Sequence, residues 1–169
     1  MKTRPMISSL VVWAITLPLF LTGCTLQQQA CVQKGDPSKS FFRDQVIYPY
    51  KVKYARARAD DGTEWEIGYM DAKPMFRSDP KVLVLIHGRA CSGAYFGHII
   101  KTAVKQGIRV IVPDLPNYGK SIPGNLNNSP VRSLQHTRQV IHDLVVNKLG
   151  IQKAAYGGHS LGGQWALGY

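Results

Sequence analysis

Acidic side chains are scarce: ten Asp and Glu stand against 21 Lys and Arg in 169 residues, a formal net charge of +11. Setting aside Lys2 and Arg4 still leaves 19 basic residues to 10 acidic ones. A basic chain of this kind invites a polyanion reading. Yet no run of like charges exceeds a few residues, and basic and aromatic residues do not interleave as they do in nucleic-acid binders, so no nucleic-acid partner is expected. A diffusely basic surface suits anionic lipid or cell wall, or is an ordinary bias. Cysteine is rare as well, with three residues, Cys24, Cys31 and Cys91, and no C-x-x-C pair. That excludes a disulfide scaffold and leaves any pairing of Cys31 with Cys91 open. The five histidines are scattered, and His136 and His142, six apart on one predicted helix, do not share a face, so neither a metal nor another cofactor is expected. Finally, the nine residues after Ser160 contain no carboxylate and no histidine.

What is present is ordinary for one globular domain with a real core: 44% apolar residues and 9% aromatic ones. Lys2 and Arg4 form a positive start. Met6 to Leu21 follows as an apolar stretch broken only by Ser8, Ser9, Thr16 and Pro18. It falls short of the roughly 20 apolar residues a comfortable membrane span needs, and it predicts a secretory leader. Its end, Leu21-Thr22-Gly23-Cys24, resembles the lipobox of bacterial lipoproteins. The resemblance implies removal of a signal peptide over 1–23 and diacylation of Cys24. The alternatives are an uncleaved anchor or a plain secretory signal. With Thr25 in place of an aspartate, the resemblance further implies a cell-envelope protein, lipid-anchored at the periplasmic face of the outer membrane. Residues 24–45, rich in Gln, Lys, Ser and Asp, read as a tether, and structure is expected to start near Val46.

Tyr50 to Ala59 and Trp65 to Met70 are strand-like runs separated by Asp60-Asp61-Gly62-Thr63, which predicts a hairpin. Val82 to Ile86 is an unbroken apolar run without alternation, the mark of a strand buried on both faces in a parallel sheet. His87-Gly88-Arg89 turns the chain at its carboxyl end. Ala94 to Gln106 carries Phe96, Ile99, Ile100, Ala103 and Val104 at helical spacing and stops at Gly107. Ile108 to Val112 is a second buried strand ending in Pro113-Asp114. The loop after it runs through Gly119, Lys120 and Ser121 and on through Gly124, Asn125, Asn127 and Asn128. Leu134, Thr137, Ile141, Leu144 and Val145 then line one face of a helix closing at Gly150. Strand, helix, strand, helix, strand predicts an α/β fold whose ligands bind off the carboxyl ends of the strands.

At the last such end stands Gly158-His159-Ser160-Leu161-Gly162, a G-x-S-x-G between a short apolar strand and the first turns of a helix. The turn is so tight that positions two before and two after the serine must be nearly free of side chain, and both are glycine. The pattern is short enough to arise by chance, so its context carries the reading.

That context resembles the α/β-hydrolase superfamily over 46–169. Four landmarks fall in order: the hairpin, His-Gly-x after the first buried strand, Pro-Asp-x-x-x-x-Gly-x-Ser after the second, and G-H-S-x-G-G. Tyr69-Met70-Asp71-x-Lys73-Pro74 with Gly93-Ala94-Tyr95-Phe96 looks like a bacterial subgroup of unassigned substrate. The resemblance implies that Ser160 is the nucleophile toward a small-molecule ester, thioester or amide, with the backbone N–H groups of Leu161 and Arg89 holding the oxyanion. It implies that His87 and Asp114 are structural, and it assigns His159 no proton transfer. In this fold the triad acid and histidine follow the serine, and His98, His136 and His142 precede it. The expectation is therefore a fragment, an α/β-hydrolase fold truncated just after the nucleophile turn, feebly active and prone to aggregate alone. A cofactor-free haloperoxidase or carbon-carbon hydrolase on the same scaffold stays open, as does a non-catalytic lipid-anchored binding protein. Aspartate-nucleophile dehalogenases and epoxide hydrolases are disfavoured by serine at position 160.

Overall fold

The computed structural model of the protein describes residues 41–122 and 133–168. The leader, the lipobox with Cys24, most of the tether with Cys31, and the loop positions Gly124, Asn125, Asn127 and Asn128 lie outside the described residues. Among the described residues no helix is long and apolar enough to cross a membrane.

Helical structure is present ahead of the Val46 expected as the start. Phe41–Asp44 (α1) forms one helical turn, and it is tied to the domain. The Lys120 amine donates to the carbonyls of Phe42 at 2.7 Å and Arg43 at 2.8 Å, and Arg43 pairs with Glu66 at 2.7 Å. The turn is held at least by the Lys120 amine on its carbonyls and by the Arg43–Glu66 ion pair, partners far away in sequence.

The hairpin is Val52–Arg58 (β1) and Glu64–Ala72 (β2), paired antiparallel from Val52 against Met70 to Arg58 against Glu64. Its turn is closed by Ala59 N–H donating to Thr63 O and by Thr63 N–H donating to the Asp61 carboxylate, with Gly62 at φ 82°. Val82–Ile86 (β3) leads through a 3₁₀ turn at Gly93–Phe96 into Gly97–Lys105 (α2), and then Arg109–Pro113 (β4) follows. A second 3₁₀ turn covers Gly119–Ser121. Leu134–His142 (α3), capped by Ser133 Oγ accepting from His136 N–H at 3.0 Å, widens into a π-helical stretch at Asp143–Lys148. Ala155–Gly158 (β5) and Leu161–Ala166 (α4) complete the described chain.

The strands form one mixed sheet in the order β1-β2-β4-β3-β5. β3 runs parallel to β4 and β5, while β2 runs antiparallel to β4, Ala72 opposite Val110. The chain therefore moves from β3 to β4 on one side and returns to β5 on the other, a switch of winding direction at β3. Side-chain alternation divides the core accordingly. Leu85, Val110 and Val112 pack with Phe96, Ile100 and Ala103 on the α2 face, while Val84, Ile86 and Ile111 pack with Ile141, Val145 and Trp165 on the α3 and α4 face. Fully burying each such aliphatic side chain stabilises by roughly 1.5–3 kcal/mol, which is why β3 and β4 tolerate no polar residue in their central positions. Two predicted helix positions differ from expectation: Ile99 is 47% and Leu134 41% exposed.

Candidate active site

A switch point opens a crevice at the carboxyl ends of the strands that flank it. Here those strands are β3 and β5, and the residues at their ends are His87 and Ser160. Ser160 is exposed and has φ 53° and ψ −124°, a region that L-residues avoid and that costs about 1–3 kcal/mol. The surroundings over-determine it. His159 N–H continues the ladder by donating to Ile86 O at 3.1 Å, and Gly162 and Gly163 N–H already donate to His159 and Ser160 carbonyls at 2.9 Å. Strand thus becomes helix across a single residue. A Cβ at Gly158 would run into the Gly162 carbonyl, and one at Gly162 into the carbonyls of Ile86 and His87. The two glycines are required by backbone crossing backbone.

The loop after β3 closes on this turn. A Cβ on Gly88 would meet Ser160 Cβ at 3.1 Å and His159 O at 3.0 Å. Cys91 N–H donates to Gly88 O at 3.3 Å, and Ala90 takes φ 59°, so Arg89 sits in a tight turn against the serine with its side chain exposed. Leu161 opens α4 on the other side. Cys91 is half-buried and forms no disulfide.

His87 is fully buried. Its Nε2 accepts from Leu115 N–H at 3.0 Å, which assigns the ring proton to Nδ1, 2.8 Å from Gly88 O. Burial holds its pKa below the ordinary histidine value, only partly offset by Gly88 O and the Asp114 carboxylate. A neutral ring with both nitrogens engaged braces the Gly88–Arg89 turn and offers no base to Ser160. Asp114 is equally buried and is a hub: Oδ1 accepts from Gly93 N–H at 2.5 Å, and Oδ2 accepts from Lys120 N–H at 2.7 Å and from the Tyr48 hydroxyl at 2.6 Å. Burial, then the Asp114 charge, pushes the Tyr48 phenol well above its usual value. Of the remaining histidines, His136 accepts from Trp65 Nε1–H at 3.1 Å and faces Asp61 at 3.6 Å, His142 lines a cleft with Arg58 and Asp143, and His98 lies on the exposed side of α2.

Two features of the site lay outside the sequence reading. The His159 ring stacks on Tyr95, centroids 4.8 Å apart, making an aromatic wall beside the serine from residues more than sixty positions apart. A cleft of about 320 Å³ opens past Leu161, lined by Leu115, Pro116, Tyr118, Leu134 and Trp165 among others. The larger clefts, about 700 and 900 Å³, are lined by other residues, at the β1–α3 side and under the amino end of β3. Among the described residues no cluster of three or more His, Cys, Asp or Glu is arranged to hold a metal.

Residues 81–169 match the family model described as the alpha/beta hydrolase fold. The chain is 35% identical over 122 residues to the magnesium-chelatase 30 kDa subunit of Rhodobacter capsulatus, covering 71% of this chain and 38% of that protein. Over 80 residues it is 30% identical to a haloalkane dehalogenase of Mycobacterium marinum, covering 47% of this chain and 26% of that protein. Among solved structures, a probable hydrolytic enzyme from Pseudomonas aeruginosa PAO1 superposes with a TM-score of 0.66 at 25% identity, over 80% of this chain and 42% of its own. The chain spans less than half the length of each of these proteins.

Proposed function

The chain belongs to the α/β-hydrolase fold family, and from that membership we propose that it carries the nucleophile of a serine hydrolase cleaving an ester, thioester or amide bond. The observation that carries the reading is Ser160 itself, exposed at the carboxyl end of β5 with φ 53° and ψ −124°. Packing holds a strained backbone at this point, and such strain gathers at functional positions. A serine at 160 also favours acyl chemistry over the dehalogenase reaction of the Mycobacterium marinum relative.

In this mechanism the Ser160 hydroxyl attacks the acyl carbon and gives up its proton to a base. The negative charge moves to the carbonyl oxygen, where the amides of Leu161 and Arg89 receive it. A donor of this kind is worth about 2.7–4 kcal/mol in the transition state. The leaving alcohol, thiol or amine takes the proton, and water then releases the acid from Ser160. Locked on both nitrogens, His87 is not that base. The reading leaves the roles of base and acid to residues other than His87. The apolar cleft past Leu161 and the Tyr95–His159 stack favour an uncharged, hydrophobic acyl or alcohol group. The same reading has the protein exported and held in the envelope through a diacylated Cys24, its substrate reached from the periplasm.

The test is turnover of a panel of p-nitrophenyl esters by the protein expressed from its own gene, with Ser160→Ala as control. Hydrolysis abolished by the substitution supports the proposal, and hydrolysis that survives it overturns it. For the anchor, alkyne-palmitate incorporation is expected in the native protein and not in Cys24→Ala.

A further inference from the structure

The loop between β2 and β3 lies at the end of the sheet opposite Ser160, because β2 finishes there and β3, β4 and β5 all start there. Within it two adjacent bulky side chains stand in solvent: Met75 is 85% and Phe76 91% exposed. The loop is nonetheless fastened, since Arg77 lies across Gly107, where a Cβ would come within 2.7 Å of the guanidinium. The cleft of about 900 Å³ beneath the sheet is lined by Lys73, Arg77, Lys81, Arg109 and Lys153, with Asp79 as the one carboxylate among its lining residues. Arg109 is occupied, binding Asp71 through Nε at 2.9 Å, and Lys53 binds the same carboxylate at 3.1 Å. Among the described residues Lys73, Arg77, Lys81 and Lys153 make no ion pair, and all four are exposed.

Two exposed apolar side chains on a loop that carries Lys73, Arg77 and Lys81, with Lys153 lining the same cleft as these cations, fit one surface best. In water the arrangement leaves apolar area and positive charge both unmatched. At an anionic bilayer the apolar groups enter the headgroup region while the long basic side chains reach phosphates. A second copy of the chain would bring the same cations face to face, so the charge argues against self-association. We propose that the 73–81 loop docks the protein on an anionic phospholipid surface, with Met75 and Phe76 inserted, Lys73, Arg77, Lys81 and Lys153 on the phosphates, and Ser160 turned away from the bilayer. This docking surface requires neither the hydrolase reading nor acylation of Cys24.

The full chain is bound to vesicles of phosphatidylcholine with or without phosphatidylglycerol, both carrying a diazirine-tailed lipid, and photolabelled residues are mapped by mass spectrometry. Labelling of Met75 and Phe76 is expected in the anionic vesicles. Each cation contributes roughly fivefold to partitioning, so Lys73→Glu with Lys81→Glu lowers that labelling at least tenfold, as does 0.5 M salt. Met75→Ser with Phe76→Ser lowers labelling of the 73–81 segment as strongly. All four substitutions are at exposed positions, and circular dichroism checks that the fold is retained. Protein that binds vesicles through other residues with 73–81 unlabelled overturns the proposal, as does equal labelling in neutral vesicles or lipid-independent cross-linking between two 73–81 loops.

Discussion

The Tyr48 hydroxyl donates a 2.6 Å hydrogen bond to Oδ2 of Asp114, 66 positions further along the chain. Through it the segment before β1 is tied to the loop after β4, and the same carboxylate organises the amides of Gly93 and Lys120. Tyr48→Phe is expected to cost about 1.5–3 kcal/mol, the range for a hydrogen bond to a charged group, read from the urea midpoint. It also changes the alkaline limb. The phenol's pKa is raised on folding, so its contribution is complete below the unfolded value near 10 and is lost as pH climbs above it. The wild-type protein should lose stability above about pH 10 more steeply than Tyr48→Phe, and equal slopes would contradict this.

His87 gives the opposite limb. Burial depresses its pKa, so the neutral ring contributes stability above the unfolded value near 6.5, and this is lost as pH falls toward the folded value. Denaturant midpoints between pH 7 and pH 5 should fall less for His87→Gln than for wild type. The substituted protein should also start lower, because a flexible amide replaces the rigid ring that accepts from the Leu115 amide and reaches Gly88 O.

Ser160 separates strain from chemistry. Replacing it with glycine relieves a conformation with φ 53°, so Ser160→Gly should raise stability by about 1–3 kcal/mol, while Ser160→Ala leaves the strain in place. Both should lose esterase turnover. If alanine and glycine melt alike, the backbone at this residue is not strained.

The two glycines around it should behave unlike their neighbour. Gly158→Ala and Gly162→Ala each force a Cβ into backbone atoms, and neither should accumulate as folded protein. Gly163, whose nearest neighbour to an added Cβ is Gly158 O at 3.7 Å, should accept alanine and gain about 0.5–1 kcal/mol as a helical position. Soluble yield and far-ultraviolet circular dichroism decide it.

Much of the architecture was legible because it rests on local pattern. The apolar run of Val82–Ile86, the turn at Asp60–Thr63, the stops at Gly107 and Gly150, and the glycines flanking Ser160 each impose a local geometry that the fold keeps. Their spacing was enough to predict buried parallel strands and a serine lifted out between strand and helix. Tertiary structure alone decided the rest, since it depends on residues that meet only after the chain has wound. Nothing near Tyr48 announces Asp114, nothing near Tyr95 announces His159, and nothing near the turn Phe41–Asp44 announces Lys120 and Glu66, which hold it. The amino-acid order carries short-range periodicity and turn chemistry, whereas hydrogen bonds, ring stacks and the pairing of β2 with β4 join partners some forty to eighty positions apart and leave no periodic trace.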